Sequence, residues 1–283
     1  MEIMNTTMKE TVLWIGAGEI GKAIVRRMAT GRKVIVGDKR LESARRAAEE
    51  LNNVGFDVEP IETDLSERDS ILAAIAEARK QGTIKYLVNS AGVSPSQASV
   101  ETILKVDLYG TAVLLEEVGK VIAPGGAGVT ISSQSGHRMP ALGTETDELL
   151  ATAPTEALLA LDILRPANIR DTLHAYQMAK RCNVKRVMAE AVRWGERGAR
   201  INSISPGIIV TPLARDEFDG PRGAFYKNMF AKCPAGRPGT ADEVAGLAEL
   251  LMSDAGAFIT GSDFLIDGGA TASYYYGPLK PSN

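Results

Sequence analysis

The stretch Thr11-Val-Leu-Trp-Ile-Gly16-Ala-Gly18-Glu-Ile-Gly21 decides how this chain is read. Thr11 to Ile15 is short, apolar and rich in β-formers, the pattern of a buried strand. The glycines follow at once, and Lys22 to Ala29 then shows helical periodicity. A G-x-G-x-x-G run between a strand and a helix is the context in which a dinucleotide-binding turn works. Gly16 permits the tight turn, Gly18 lets the backbone approach a pyrophosphate, and Gly21 lets helix and strand pack closely. The unpaired amides of the helix start, at Glu19 and Ile20, then face the phosphates. A plain glycine-rich turn has the same composition; the two flanks are what favour a nucleotide site.

Downstream, strand and helix patterns alternate. Lys33 to Gly37 reads as the second strand, closed by Asp38 roughly 20 residues after the glycines, where a carboxylate binds both ribose hydroxyls and repels a 2′-phosphate. Glu19 adds negative charge beside it. Both favour NAD(H). Lys39 and Arg40, read either as a receptor for that phosphate or as the solvated start of the next helix, leave NADP(H) open. Leu41 to Leu51 is a helix and Asp57 to Glu62 a third strand. Thr63-Asp64-Leu65-Ser66 follows, with Ser66 as N-cap of a helix over Glu67 to Arg79, and Asp64 either capping a turn or meeting an adenine amine. Ile84 to Val88 runs into Asn89-Ser90-Ala91-Gly92, small residues that let a flat ligand lie close. Asn89 is also placed to bond across strands. Ser99 to Ile122 reads as one long helix containing Asp107, and Val129 to Ile131 as a strand ending at Ser133. This order predicts an α/β Rossmann fold, a doubly wound parallel sheet of about seven strands with helices on both faces. Gly16, Asp38, Asp64, Asn89 and Ser133 all fall at the carboxyl ends of strands, where such sheets bind ligands.

Composition narrows the function. The chain has 283 residues, 45% of them hydrophobic, a net charge of −3 and a pI of about 5.6. One large domain, 1–283, accommodates this, and no nucleic-acid or anionic-membrane partner is indicated. The two cysteines lack CxxC spacing and only two histidines are present, so neither a disulfide framework nor a metal site is expected. No apolar run reaches the ~18 residues of a membrane span. Met1 to Lys9 reads as a frayed polar lead-in without a signal-peptide core, and a cytoplasmic location follows.

Tyr176 and Lys180 stand i,i+4 in a helical pattern, on one face. An ammonium beside a phenol favours the phenolate and suits the phenol to acid–base work. Residues 137–170 interrupt the strand–helix rhythm with a helical-looking stretch from Thr146 to Leu164 that contains Pro154. They are expected to be an inserted lid or substrate-pocket wall, with His137 either lining the pocket or a solvated loop residue. Arg200 to Ile204 is a strand, Ser205 to Pro212 an extended loop, and a short helix is expected near Phe225 to Ala231. Thr240 and Glu243 form a capping box, Phe264 to Ile266 is a last strand, and the tail through Tyr274-Tyr275-Tyr276 is expected to be ordered by a neighbouring subunit.

From Thr11 to Ala270 the chain resembles the short-chain dehydrogenase/reductase family, on the glycine loop, Asn89-Ser-Ala-Gly92, Ser133, Tyr176-x-x-x-Lys180, Pro206-Gly207 and Ile266-Asp267-Gly268-Gly269. The resemblance implies that Tyr176 protonates a carbonyl oxygen during hydride delivery and that Ser133 holds the same oxygen. Lys180 then tunes Tyr176 and binds the nicotinamide ribose, while the backbone after Pro206, through Gly207 and Ile209, holds the carboxamide with Thr211. It implies a homodimer or homotetramer that oxidises an alcohol or reduces a ketone.

Three features depart from the family pattern. The glycine loop is one residue shorter than usual, after Ile15. Asp107 stands in Val106-Asp107-Leu108 where an asparagine supports a proton-relay water, so it either accepts the same hydrogen bonds or pairs with Lys180. Residues 137–170 separate Ser133 from Tyr176, usually near neighbours. Hydroxysteroid dehydrogenases of the family carry an insertion there, and Arg193-Trp194-Gly-Glu is similar to theirs, which makes a bulky alicyclic or steroid-like alcohol a candidate substrate. The insertion either covers the helix pair used for dimerisation or builds a new interface. The competing reading is a non-catalytic NAD(P)-binding regulator that keeps the fold, motivated by Asp107.

Overall fold

Short strands with nearly continuous buried runs build a two-faced sheet, and a computed structural model describes the result for residues 9–220 and 223–281. In chain order the elements are β1 (Glu10–Ile15), α1 (Glu19–Met28), β2 (Lys33–Asp38), α2 (Leu41–Asn52), β3 (Asp57–Glu62), α3 (Arg68–Gln81), β4 (Thr83–Asn89), α4 (Val100–Ile103), α5 (Thr111–Gly119), β5 (Ala127–Ile131) and α6 (Gln134–His137). They continue as α7 (Thr144–Thr152), α8 (Thr172–Glu196), β6 (Arg200–Pro206), α9 (Pro212–Asp219), α10 (Gly223–Lys232), α11 (Ala241–Met252), β7 (Asp263–Ile266) and α12 (Ala270–Tyr276). The strands form one parallel seven-stranded sheet in the order β3-β2-β1-β4-β5-β6-β7. The order reverses between β1 and β4, which opens a crevice at their carboxyl ends.

The central strands β1, β2 and β4 feed two cores. Val12, Trp14, Val34, Val36 and Val88 point to the face covered by α1, α2 and α11. Leu13, Ile15, Ile35 and Leu87 point to the face covered by α3, α5 and α8. Burying residues on both faces of the same strand is what a parallel sheet requires, and this is a single-domain Rossmann fold.

Several local expectations need correction. The helix expected over Ser99 to Ile122 is broken by a π-helical segment, Leu104–Gly110, where Gly110 fits directly against the Leu65 backbone. Ser66 caps no helix; its amide and hydroxyl both bond Asp64, and α3 starts after Glu67. Ser205 and Pro206 belong to β6, paired with Leu265 and Ile266. Two helices, α9 and α10, occupy the region where one was expected. The Thr240–Glu243 capping box is present. The tail forms α12 on its own chain, with Ser273 Oγ bonded to the Lys232 carbonyl. The expected lead-in at Met1 to Lys9 lies almost wholly outside the described residues.

Residues 137–170 supply α7 and three short 3₁₀ turns. Leu150, Ala153, Leu158, Leu164 and Ile169 share a third core with Ile103, Leu108, Ala112, Met178 and Cys182. Polar contacts reinforce it. Arg186, 2% exposed, bonds the Leu150 and Ala153 carbonyls and the Thr155 hydroxyl. Asp147 pairs with Arg181 at 2.7 Å and Lys185 at 3.1 Å. The insertion therefore lies along the outer faces of the α5 region and α8. Its first residues, Arg138 and Met139, stay beside α6.

Candidate active site

The glycine loop is built as its residue types demand. Gly16 has φ +90°, its amide bonds the Gly37 carbonyl at 2.8 Å, and a Cβ there would lie 2.4 Å from the Ala91 amide nitrogen. A Cβ on Gly21 would lie 2.1 Å from both Ser90 Oγ and Trp14 Nε1. Gly18 is the opposite case: nothing stands within 4 Å of its Cβ position, and as N-cap of α1 it offers no side-chain oxygen to the first amides. Open space over unpaired amides at a helix N-terminus fits a pyrophosphate.

Asp38 ends β2 with Oδ2 accepting the Ala17 amide and Oδ1 the Arg40 amide, both at 3.0 Å, so the carboxylate is tied to the glycine loop. Lys39 reaches Asp64 at 2.8 Å. Burial pushes the Asp64 carboxyl up, but Lys39 and the Ser66 hydrogen bonds outweigh it and hold Asp64 below its usual range. Glu19 spends its charge on Lys22 at 2.8 Å. Asn89 bonds across strands to Thr130 Oγ1 at 2.9 Å. Ala91 packs under Gly16, and Leu65 is a buried core residue.

Tyr176 and Lys180 share one face of α8. Lys180 Nζ lies 5.3 Å from the centroid of the partly exposed Tyr176 ring. The lysine is 4% exposed, bonds the Ile131 carbonyl at 3.3 Å and meets Asp107 Oδ2 at 3.6 Å. Gly92 keeps this spot open, since its Cβ would lie 3.2 Å from Lys180 Nζ. Ser133 follows β5 as N-cap of α6; its Oγ accepts the Ser135 amide at 3.1 Å, which leaves the hydroxyl hydrogen to donate elsewhere. Its neighbour Ser132 bonds the Lys180 carbonyl at 2.7 Å, tying the end of β5 to α8. Gly207 bonds the Ile266 carbonyl at 2.8 Å, Ile209 bridges to Gly239, and Thr211 caps α9.

A model described as short chain dehydrogenase matches residues 10–144, and one described as Enoyl-(Acyl carrier protein) reductase matches residues 145–271. The chain is 36% identical over 266 residues to "Short-chain dehydrogenase/reductase bsc3" of Alternaria brassicicola, covering 93% of this chain and 96% of that protein. The chain belongs to the short-chain dehydrogenase/reductase family. It is also 33% identical to D-threitol dehydrogenase of Mycolicibacterium smegmatis, over 90% of each chain. With 3-alpha-hydroxysteroid dehydrogenase/carbonyl reductase of Comamonas testosteroni it shares 31% identity over 77% of this chain and 86% of that one. Among solved structures, BdcA in complex with NADPH has 25% identity and a TM-score of 0.68, covering 92% of this chain and 93% of that one. This family consists of oxidoreductases that bind NAD(P).

Against the usual pattern of short-chain dehydrogenases/reductases, Asp107 is the departure with chemical weight. It is fully buried on the π-helical segment; Oδ1 accepts the Val93 amide at 2.8 Å and Oδ2 has no hydrogen-bond partner among the described residues. Burial pushes the Asp107 carboxyl up, against the Lys180 charge and the Val93 amide. Burial pushes Lys180 down, but the Asp107 charge and the nearby Tyr176 reverse this and leave it raised. The two form one coupled pair that holds its proton tightly. Sequence reasoning missed Asn183, whose amide nitrogen bonds the Asp107 carbonyl at 2.9 Å; its place one turn after Lys180 was the available signal. It also missed the partner of His137, whose side chain is 32% exposed at the end of α6 and lies 2.7 Å from Asp263. A hollow of about 80 Å³ lies between the Gly207–Ile209 loop, α10 and the Gly268 turn, and one of about 340 Å³ between Arg68, Glu116, the insertion and Arg186; neither is lined by Ser133, Tyr176 or Lys180. Among the described residues no group of His, Cys, Asp and Glu could hold a metal, both cysteines are free, and no helix is long and apolar enough to cross a membrane.

Proposed function

We propose that this protein moves a hydride reversibly between NAD(H) and a secondary alcohol or its ketone, with Tyr176 as general acid and base. The observation that carries the reading is the buried Lys180–Asp107 pair beside the Tyr176 ring at the sheet's carboxyl edge. An ammonium held there favours negative charge on the phenol oxygen. In reduction Tyr176 gives its proton to the carbonyl oxygen; in oxidation it takes the proton of the alcohol. Ser133 donates to the same oxygen as charge develops. The bound nicotinamide supplies the hydride chemistry. The amides from Gly18 to Gly21 hold the pyrophosphate and Asp38 the adenosine ribose. Asp64, Leu65 and Asn89 to Gly92 flank the cofactor, and Lys180 holds the nicotinamide ribose. Pro206, Gly207, Ile209 and Thr211 hold the carboxamide.

What supports NAD(H) over NADP(H) is the Asp38 carboxylate, together with the commitment of Lys39 to Asp64. For substrate we favour a bulky alicyclic alcohol, because the α9–α10 lobe carries Phe218 edge-on to Tyr226 and Phe230, with centroids 5.4 and 5.5 Å apart. The start of the insertion, at Arg138 and Met139, forms a pocket wall in this reading. We place the protein in the cytoplasm as a homodimer or homotetramer. The insertion packs on α5 and the first part of α8, so association uses surfaces it leaves open, such as the exposed Val192 late in α8 and Phe258.

Titrating NADH and NADPH, then following NADH oxidation over a panel of cyclic and linear ketones, tests the reading. Tighter NADH binding with turnover is expected. Preference for NADPH contradicts the cofactor assignment. Tight NAD binding without turnover across the panel selects the regulator reading that Asp107 motivates.

A further inference from the structure

Ser133 opens a one-turn helix, α6, and the last residue of that turn is fixed twice. His137 Nε2 lies 2.7 Å from Asp263 Oδ2, and the His137 carbonyl accepts the Tyr275 hydroxyl at 2.7 Å. The Asp263 side chain on β7 is only 7% exposed, and it also accepts the hydroxyls of Ser203 at 2.6 Å and Ser205 at 2.9 Å. An ionised carboxylate only accepts, so Nε2 carries the hydrogen and the ring has one orientation. At the other side of the turn, a Cβ on Gly136 would lie 2.9 Å from the Arg181 amide, so α6 rests directly on the α8 backbone one residue past Lys180. Arg138, next in chain, bonds Gln134 at 2.6 Å and stacks over the Tyr274 ring at 5.5 Å.

We propose that His137, held by Asp263 and Tyr275, is a positioning residue that fixes the α6 turn and so aims the Ser133 hydroxyl. The inference rests on the proposed role of Ser133. A four-residue helix has no stability of its own, because nucleation is unfavourable and propagation is too short to repay it. The turn's geometry must come from its anchors. A donor to a developing oxyanion works at about 2.7–3.1 Å, and a misplacement of about 1 Å can lower a rate about 100-fold. The anchors join the catalytic turn to β7 and α12, elements far along the chain.

Two measurements test this. The first is hydrogen exchange of the amides from Ser133 to Arg138 in Tyr275→Phe, His137→Leu and His137→Gln. Faster exchange in the first two, restored protection in His137→Gln and unchanged protection in α8 are expected. Unchanged exchange throughout overturns the proposal. The second is a double-mutant cycle with Ser133→Ala, using NADH and the ketone reduced fastest in the panel. Tyr275→Phe should lower kcat about 3–10-fold and His137→Leu about 10–100-fold, with little change in the KM for NADH. Neither should lower it further in the Ser133→Ala background. Additive losses show that His137 acts through general stability and overturn the proposal. Full activity of Ser133→Ala alone instead removes the role of Ser133 on which it rests.

Discussion

Replacing Asp107 by asparagine isolates the one substitution that sets this site apart from its family pattern. The change keeps shape and keeps an oxygen for the Val93 amide, now 2.8 Å from Oδ1, while it deletes a charge 3.6 Å from Lys180. At an effective dielectric of about 20, unit charges at that separation attract by roughly 4–5 kcal/mol. Desolvation of the carboxylate offsets most of that attraction, so a net loss of about 1–3 kcal/mol in stability is expected. The Ile131 carbonyl and the Tyr176 side chain still favour the ammonium against its burial, and an ammonium that stays charged is no longer offset by Asp107. Its field on the phenol oxygen then rises by roughly 1–2 kcal/mol, about one pH unit. The pH–rate profile for alcohol oxidation should move about one unit toward lower pH in Asp107→Asn, because the base form of the site is reached earlier. Initial rates from about pH 5 to about pH 10, with urea unfolding of both proteins, measure the two effects. Superimposable profiles would show that Asp107 does not tune the pair, and a shift toward higher pH would reverse the sign of the argument.

Two further outcomes follow from the geometry. Gly21→Ala drives a methyl into Trp14 and Ser90 and should destabilise by about 1–3 kcal/mol in urea unfolding, whereas Gly18→Ala meets open space and should change stability by less than about 0.5 kcal/mol while raising the KM for NADH at least about tenfold. Burial pushes the Asp147 carboxyl up, but Arg181 and Lys185 outweigh it and hold it below its usual 3.8. A depressed carboxyl contributes its stability above the unfolded-state value and loses it as pH falls through the folded-state value. Asp147→Asn should therefore cost about 0.5–1 kcal/mol at neutral pH and nothing at about pH 2, read by urea unfolding.

The fold was legible because its signals are local. The short apolar runs of β1, β2 and β4, the glycine spacing at Gly16 to Gly21 and the capping box at Thr240 each need only a few neighbouring residues. The candidate site was legible as a set of strand ends, since parallel topology brings Asp38, Asn89 and Ser133 to one edge without further information. What escaped depends on contacts between distant segments. The π-helical segment Leu104–Gly110 ends where Gly110 fits closely against Leu65, and no helical periodicity announces it. The partner of His137 is Asp263, on a strand at the far side of the sheet, so a lone histidine in a loop offered no sign of its bond. The insertion shows its apolar residues in sequence, but only the packed third core tells that they meet α5 and α8. Ser66 misled because a serine before a charged helix start is a sound capping signal, and Asp64 took its hydrogen bonds first.

The central claim is that Tyr176 transfers the proton while the rest of the site binds and aims. Single-turnover reduction of the best ketone by enzyme loaded with NADH, compared between wild type and Tyr176→Phe, tests it most directly. The account predicts that the variant binds NADH as wild type does and loses hydride transfer by at least about 100-fold, the scale of a lost general acid. Hydride transfer at the wild-type rate in Tyr176→Phe would contradict it.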